Sequence, residues 1–383
     1  MKRYAVTVFG ATGYTGGLVA ESMARYAPPG TAWAIAGRSR SKLEACRARL
    51  AELPCPPGGL LLASSDDRPS LDALCAESGV VATTVGPFAR LGGPLAEACV
   101  AAGCDYVDST GEPAFVAQLV GQLDARAKDA GVRLIPCAAF ESLPIDYGAW
   151  LTARELPQDA PLEVRGYLQA KGGISGGTWS SILEALAEPK ASLAAMDALL
   201  PKQGRPCRLV PRRVHRVARL TGWSCPLPSI DGLIVLRSAS VAEGYGRAFA
   251  YGHHVQVPSL ATVAAGVAGF GALCLAARFG PLRRLLARAL PAGSGPGEEA
   301  RAEGRYRIDW FGSGGGEHSH TRLWGTRDPG YVETGNFVAA AALALALERP
   351  ALPERAGVLS PVAALGEAGL TRLAAAGIRF STS

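Results

Sequence analysis

Residues 4–16 read YAVTVFGATGYTG, and this stretch decides the architecture of the first half of the chain. A run of β-branched and apolar residues (Val6, Thr7, Val8, Phe9) stops at Gly10, and glycines then recur every third position at Gly10, Gly13 and Gly16. A helical pattern, GGLVAESMARYA, follows at once. Strand, glycine turn and helix in that order form the context a dinucleotide loop requires. Without Cβ atoms the turn closes tightly and lets a pyrophosphate approach the backbone, where the free N–H groups of the helix start meet its charge. The loop Gly10, Ala11, Thr12, Gly13, Tyr14, Thr15 and Gly16 is therefore the candidate pyrophosphate site. The plain alternative is a tight βα turn with no ligand.

The second strand argues against that alternative. Residues 33–42 read WAIAGRSRSK. An NAD-selective site places a carboxylate near the end of this strand for the ribose hydroxyls. This chain has Arg38 there, followed by Ser39, Arg40 and Lys42. A guanidinium forks onto phosphate, so the expected cofactor is NADP(H). Arg40 also fits a solvated helix start; Arg38, directly after the strand, fits it less well.

The chain has 383 residues and 48% hydrophobic content, enough for two sizeable domains. Its net charge of +6 is modest, and no basic run interleaved with aromatics points to nucleic acid. Nine cysteines are scattered without a CxxC pair, as expected for reduced thiols of a cytoplasmic protein. The first residues run directly into a strand, so no signal peptide is expected. His318 and His320 share a strand face but lack further ligands, and His253 and His254 point to opposite faces, so no metal site is expected.

Strand and helix patterns alternate through residue 150, which predicts a Rossmann-type doubly wound parallel sheet. Its strand ends fall at Gly10, Arg38, Asp66, Gly86, Ser109 and Phe140. Beyond Trp150 longer strands of mixed, mainly antiparallel pairing predict a second α+β domain over 151–352, for substrate or dimerisation. Residues 291–304 read as a polar connector. The segment 353–383, with an amphipathic helix carrying Val362, Leu365, Leu370 and Leu373, is expected to pack back on the first domain. Residues 258–277 carry no charge, and Arg278, Arg283, Arg284 and Arg288 follow. Three readings stand for 258–288: a buried helix or oligomer interface, a membrane-surface hairpin with a basic anchor, and a true span.

The motifs FGATGYTG, WAIAGRSRSKLEA, TTVGPFARLGGPLAEAC, YVDSTGEPAF, KGGISGGTWSS and DPGYVETGNF occur in the order seen in saccharopine dehydrogenase-like oxidoreductases. Within that family the chain resembles the trans-acting enoyl reductases of lipid and polyketide synthesis over nearly its full length. The resemblance implies that Gly10 to Gly16 hold pyrophosphate, that Arg38 and Ser39 hold the 2′-phosphate, and that Asp66 sits near the adenine. It also implies that Val85, Gly86, Pro87 and Phe88 flank the nicotinamide ribose. Where the family often carries GFDS, this chain has Ala139, Phe140, Glu141 and Ser142.

Enoyl reduction needs a hydride donor close to the acceptor carbon, a hydrogen-bond donor at the thioester oxygen and a proton for the α-carbon. Glu141, Ser142, Lys171 and Thr178 are the candidate catalytic residues by position. Each has a plain counterpart: a helix cap for Ser142, a solvated strand end for Lys171, a turn for the glycine-rich loop before Thr178. Three functions follow: an NADPH-dependent enoyl reductase, a reductase of an amino-acid-derived imine, and a non-catalytic NADP(H) sensor. The expected partners are a small-molecule or carrier-bound acyl substrate, a second copy in a homodimer, and a membrane met peripherally through 258–288.

Overall fold

The computed structural model describes residues 2–173, 175–227, 229–290 and 294–383. In chain order the first elements are β1 (Tyr4–Phe9), α1 (Tyr14–Tyr26), β2 (Trp33–Gly37), α2 (Arg40–Leu50), β3 (Gly59–Leu62), α3 (Arg68–Glu77), β4 (Ser78–Thr83), α4 (Phe88–Ala102), β5 (Asp105–Asp108), α5 (Pro113–Asp129) and β6 (Arg133–Ile135). There follow α6 (Leu143–Arg154), β7 (Pro161–Lys171), α7 (Gly176–Ala187), α8 (Pro189–Ala198), β8 (Cys207–Leu209), β9 (Trp223–Pro226), α9 (Asp231–Val241), β10 (Ala248–Val257), α10 (Leu260–Arg278), α11 (Gly280–Ala289), α12 (Glu298–Ala302), β11 (Arg305–Gly314) and β12 (Glu317–Gly325). The chain closes with α13 (Thr334–Leu347), β13 (Gly357–Val358), α14 (Pro361–Ala375) and β14 (Ser381–Thr382).

Two compact units result, one holding the chain through Pro144 with Gly330–Arg379, the other Ile145–Pro329 with Phe380–Ser383. In the first, seven strands run parallel in the order β13-β6-β5-β4-β1-β2-β3. Val6, Val8, Val80 and Val81 are all buried, as a sheet covered by helices demands. Phe9, Val81 and Tyr106 share a core cluster with Leu71 and Leu74 of α3, Leu95 of α4, and Phe115 and Leu119 of α5. α13 lies against β1, β4 and β5 and packs on α1 and α14.

The division corrects the expected boundaries. Residues 145–150 belong to the second unit, and 330–352 belong to the first rather than to 151–352. The cause is α13, whose FVAAAALAL run (337–345) is buried throughout and needs the parallel sheet and α1 as its apolar surroundings. Residues 380–383 also leave the first unit, since β14 pairs antiparallel with β12.

The second sheet runs β14-β12-β11-β7-β10-β8, with β9 on β10. Its pairing is more parallel than the sequence suggested: β10 runs parallel to both β7 and β8. The long connection between β7 and β10, filled by α7, α8 and α9, makes a parallel return possible. β11 and β12 instead form a hairpin closed by Gly315 (φ 60°) and Gly316 (φ 85°), the two left-handed residues such a tight turn uses. Of the expected connector, 291–293 lie outside the described residues, and α12 forms a short helix within the rest. All nine cysteines are free.

Candidate functional site

The glycine loop is shaped by close backbone approach. Gly10 takes φ +87°, and a Cβ there would stand 2.5 Å from Cγ2 of Val85. A Cβ on Gly16 would stand 2.1 Å from the Gly10 carbonyl oxygen, so no larger residue fits without moving backbone. The Gly13 N–H donates to that same oxygen at 2.9 Å. α1 then starts from Gly13, which offers no capping side chain. Its leading N–H groups form the positive end of a helix, and with no side chain capping them they suit a pyrophosphate. Thr12 and Gly13 are exposed there, and Ala11 is buried beneath.

At the neighbouring strand end Arg38 is exposed and contributes to lowering the pKa of Asp66, after the larger effect of the hydrogen bond from Ser64. Arg38 is thus near enough to Asp66 for their charges to interact. Ser39 caps α2, accepting from the Lys42 N–H at 3.4 Å, and Lys42 is exposed beside it.

The loop after β4 is held from below. Glu112 takes the N–H groups of Phe88 (3.0 Å) and Ala89 (2.8 Å), so its carboxylate caps the start of α4. Phe88 is itself buried against Phe115, ring centroids 5.7 Å apart, and only its backbone remains at the loop. Val85 and Pro87 stay half-buried and Gly86 exposed, with a cis peptide between Gly86 and Pro87.

Asp108, at the end of β5, organises the next loops. One carboxylate oxygen accepts from the N–H groups of Thr110 (2.8 Å) and Cys137 (3.0 Å), and the other accepts from the Tyr106 hydroxyl (2.7 Å). Cys137 has φ 62°, an unusual backbone held by this bond. Burial pushes the Asp108 carboxyl up to about 7. Sequence reading quoted the YVDSTGE motif but assigned Asp108 and Glu112 no part. An acid at a strand end, followed by a short polar run, is the available signal.

The return segment was also missed as part of this site. Tyr331 meets Tyr14 of the glycine loop edge to face at 5.1 Å. Thr334 Oγ1 accepts from the Phe140 N–H at 3.3 Å, and Phe337 lies 6.2 Å from Phe140. Ser22 of α1 donates to Asn336, which donates to Glu333 at 2.9 Å.

The four expected catalytic residues fall in different settings. Glu141 has solvent-accessible surface, yet enough protein surrounds its carboxyl for desolvation to raise its pKa. Ser142 is buried, with its N–H on the Ala139 carbonyl at 3.2 Å. In the other unit Lys171 is exposed and pairs with Glu303 at 2.7 Å. Thr178 stands in the first turn of α7, its N–H on Ser175 Oγ at 3.3 Å. Among the described residues no three His, Cys, Asp or Glu side chains gather as a metal site. His320 is engaged by Asp309 at 2.8 Å.

A parallel Rossmann sheet with an uncapped glycine turn and a cationic second strand end defines an NAD(P)H-dependent oxidoreductase. The chain belongs to the saccharopine dehydrogenase-like oxidoreductases, on their trans-acting enoyl reductase branch. Residues 6–135 match the family described as saccharopine dehydrogenase NADP binding domain, and the cofactor is NADP(H). A Mycobacterium tuberculosis protein provisionally named a trans-acting enoyl reductase is 36% identical over 416 positions, covering 100% of this chain and 98% of the relative. A trans-acting enoyl reductase of Mycobacterium leprae is 30% identical over 420 positions with the same coverage. Among solved structures, the apo saccharopine dehydrogenase (L-Glu forming) of Saccharomyces cerevisiae matches with a TM-score of 0.57 at 12% identity, over 99% of each chain, a likeness of fold.

Proposed function

We propose that the protein is an NADPH-dependent reductase of the carbon–carbon double bond in a lipidic or polyketide acyl thioester, free or carried on a partner protein. The observation that carries this reading is the end-to-end similarity to trans-acting enoyl reductases, 36% identical in one relative. NADPH, when bound, supplies the hydride. The turn from Gly10 to Gly16 binds its pyrophosphate on the α1 N-terminus, and Arg38 with Ser39 and Lys42 holds the 2′-phosphate. Asp66 borders the adenine. Glu112 holds the Val85–Gly86–Pro87–Phe88 loop in place beside the nicotinamide ribose, and Asp108 sets the loop ends on which the acceptor carbon is aligned. Glu141, exposed and with a raised pKa, is the proton donor for the α-carbon. Buried Ser142 holds the turn that presents Glu141.

The test is NADPH oxidation followed optically with 2-enoyl thioesters of increasing chain length and, in parallel, with cyclic and open-chain imines. Turnover of the thioesters, reduced at least tenfold by Glu141→Gln with unchanged NADPH affinity, is the expected result. Turnover of imines alone would move the protein to amino-acid chemistry. Tight NADPH binding with no turnover of either class would leave a sensor.

A further inference from the structure

α10 is uncharged from Leu260 to Ala277, and most of its residues are exposed. Residues 264–272, AAGVAGFGA, are all exposed. At 3.6 residues per turn those nine positions go round the helix more than twice, so every face is open. Val267, Phe270 and Leu275 are more than half exposed. Only the C-terminal end is covered, at Ala277. α11 continues the pattern in amphipathic form: Leu282 and Leu285 stand out, with Arg283, Arg284 and Arg288 exposed on the other side. The pair is anchored on α7, whose Trp179 donates its indole N–H to the Leu286 carbonyl at 2.7 Å.

Charge is concentrated in the same part of the molecule. Residues 198–297 hold thirteen Lys and Arg and two acids, whereas the whole chain is only +6. Within this stretch Arg212, Arg213, Arg216 and Arg219 are exposed. Arg216 borders the root of α10: it lies over Trp223, ring to guanidinium 5.7 Å, and Trp223 pairs with Val257 just ahead of the helix. Gly222 comes so close to the Val257 carbonyl that a Cβ would stand 2.3 Å from it. Exposed cations therefore stand near both ends of the apolar helix.

We propose that α10 and α11 form a monotopic docking device for an anionic lipid bilayer, with α10 immersed among acyl chains and the arginines on headgroup phosphates. A helix apolar on every face requires an apolar medium on every face. A second copy of the chain would cover one side and leave the rest in water. Guanidinium clusters beside the helix match anionic headgroups. A span is excluded by topology. The chain leaves for α10 from β10 and returns to β11, and both strands pair with β7 in one sheet, so the segment enters and leaves on the same side. This inference concerns localisation and stands independently of the proposed substrate.

The test is flotation of the full-length protein with equimolar phosphatidylglycerol–phosphatidylcholine vesicles, against phosphatidylcholine alone, at low and high salt. Size and mass in solution are measured alongside. The expected result is flotation with the anionic vesicles at low salt and at least tenfold less on neutral vesicles or at high salt. Phe270→Asp with Val267→Asp should abolish it, and Arg283→Ala with Arg284→Ala and Arg288→Ala should weaken it at least fivefold. NADPH affinity, which reports on the other unit's fold, should be unchanged in both variants. Absence of flotation at low salt overturns the proposal, as does flotation indifferent to the arginine variant. A dimer that Phe270→Asp dissociates, without vesicle binding, assigns the helix to a second copy instead.

Discussion

Asp108 makes the stability of the nucleotide-binding unit depend on pH in an unusual direction. Its carboxyl is fully buried, and burial pushes its pKa from 3.8 to about 7, against the opposing pull of the Thr110 N–H, the Tyr106 hydroxyl and the Cys137 N–H. Between those two values the native protein holds a proton that the unfolded chain has released. The native state binds more protons, so stability falls as pH rises through the window. At about 1.4 kcal/mol per pKa unit, the loss above pH 7 is roughly 4 kcal/mol, a large share of a typical domain's stability. Asp108→Asn removes the titration and keeps the geometry: the amide oxygen still accepts from Thr110 and Cys137, and the amide nitrogen donates to the Tyr106 oxygen. Urea unfolding of the wild type and the variant at pH 5, 6, 7 and 8 measures the effect. The difference between the two proteins cancels every other titrating group. The variant should be the more stable by a few kcal/mol at pH 8, and the gap should close towards pH 5. A gap that is constant with pH, or that widens as pH falls, refutes the reasoning.

Two further outcomes follow from the glycine loop and its neighbour. Gly16→Ala puts a Cβ 2.1 Å from the Gly10 carbonyl oxygen, so α1 must shift; thermal unfolding should show about 1–3 kcal/mol of destabilisation and calorimetry a lost NADPH site. Arg38→Ala should narrow the preference for NADPH over NADH by about 1.5–3 kcal/mol, read from the two dissociation constants. Equal wild-type affinity for the two cofactors would remove the basis for that assignment.

What could be read from the chain alone was what is encoded locally. The glycine spacing at 10, 13 and 16 and the β-branched runs specify turn and strand within a few residues of one another, and the cation at 38 is the proposed phosphate partner. Asp108 and Glu112 escaped because their roles are non-local: one ties β5 to Cys137, the other caps α4 from the loop after β5. The parallel β7–β10 pair escaped for the same reason, since alternation marks a strand without naming its neighbour.

The two apolar helices show where composition stops being informative. α10 and the run from Pro329 through α13 both satisfy the length and hydropathy of a membrane segment, yet the apolar window of one is 6% buried and that of the other 78%. Their polar residues separate them. α13 opens with Thr334 and Asn336, side chains with hydrogen-bond partners inside the fold at Phe140, Ser22 and Glu333, so its start is built to be enclosed by protein. α10 has Ser259 and Thr262 bonded to each other at its start and Arg278 at its end, and among the described residues no side chain in between bonds to a protein partner. An apolar helix whose polar groups bond into a core is a core helix. One whose polar groups stand only at its ends, beside cations, fits a medium that is apolar in the middle and anionic at the edge. That contrast makes the Arg283, Arg284 and Arg288 replacement the sharper of the two vesicle experiments: it alters only the edge and leaves the apolar helix whole.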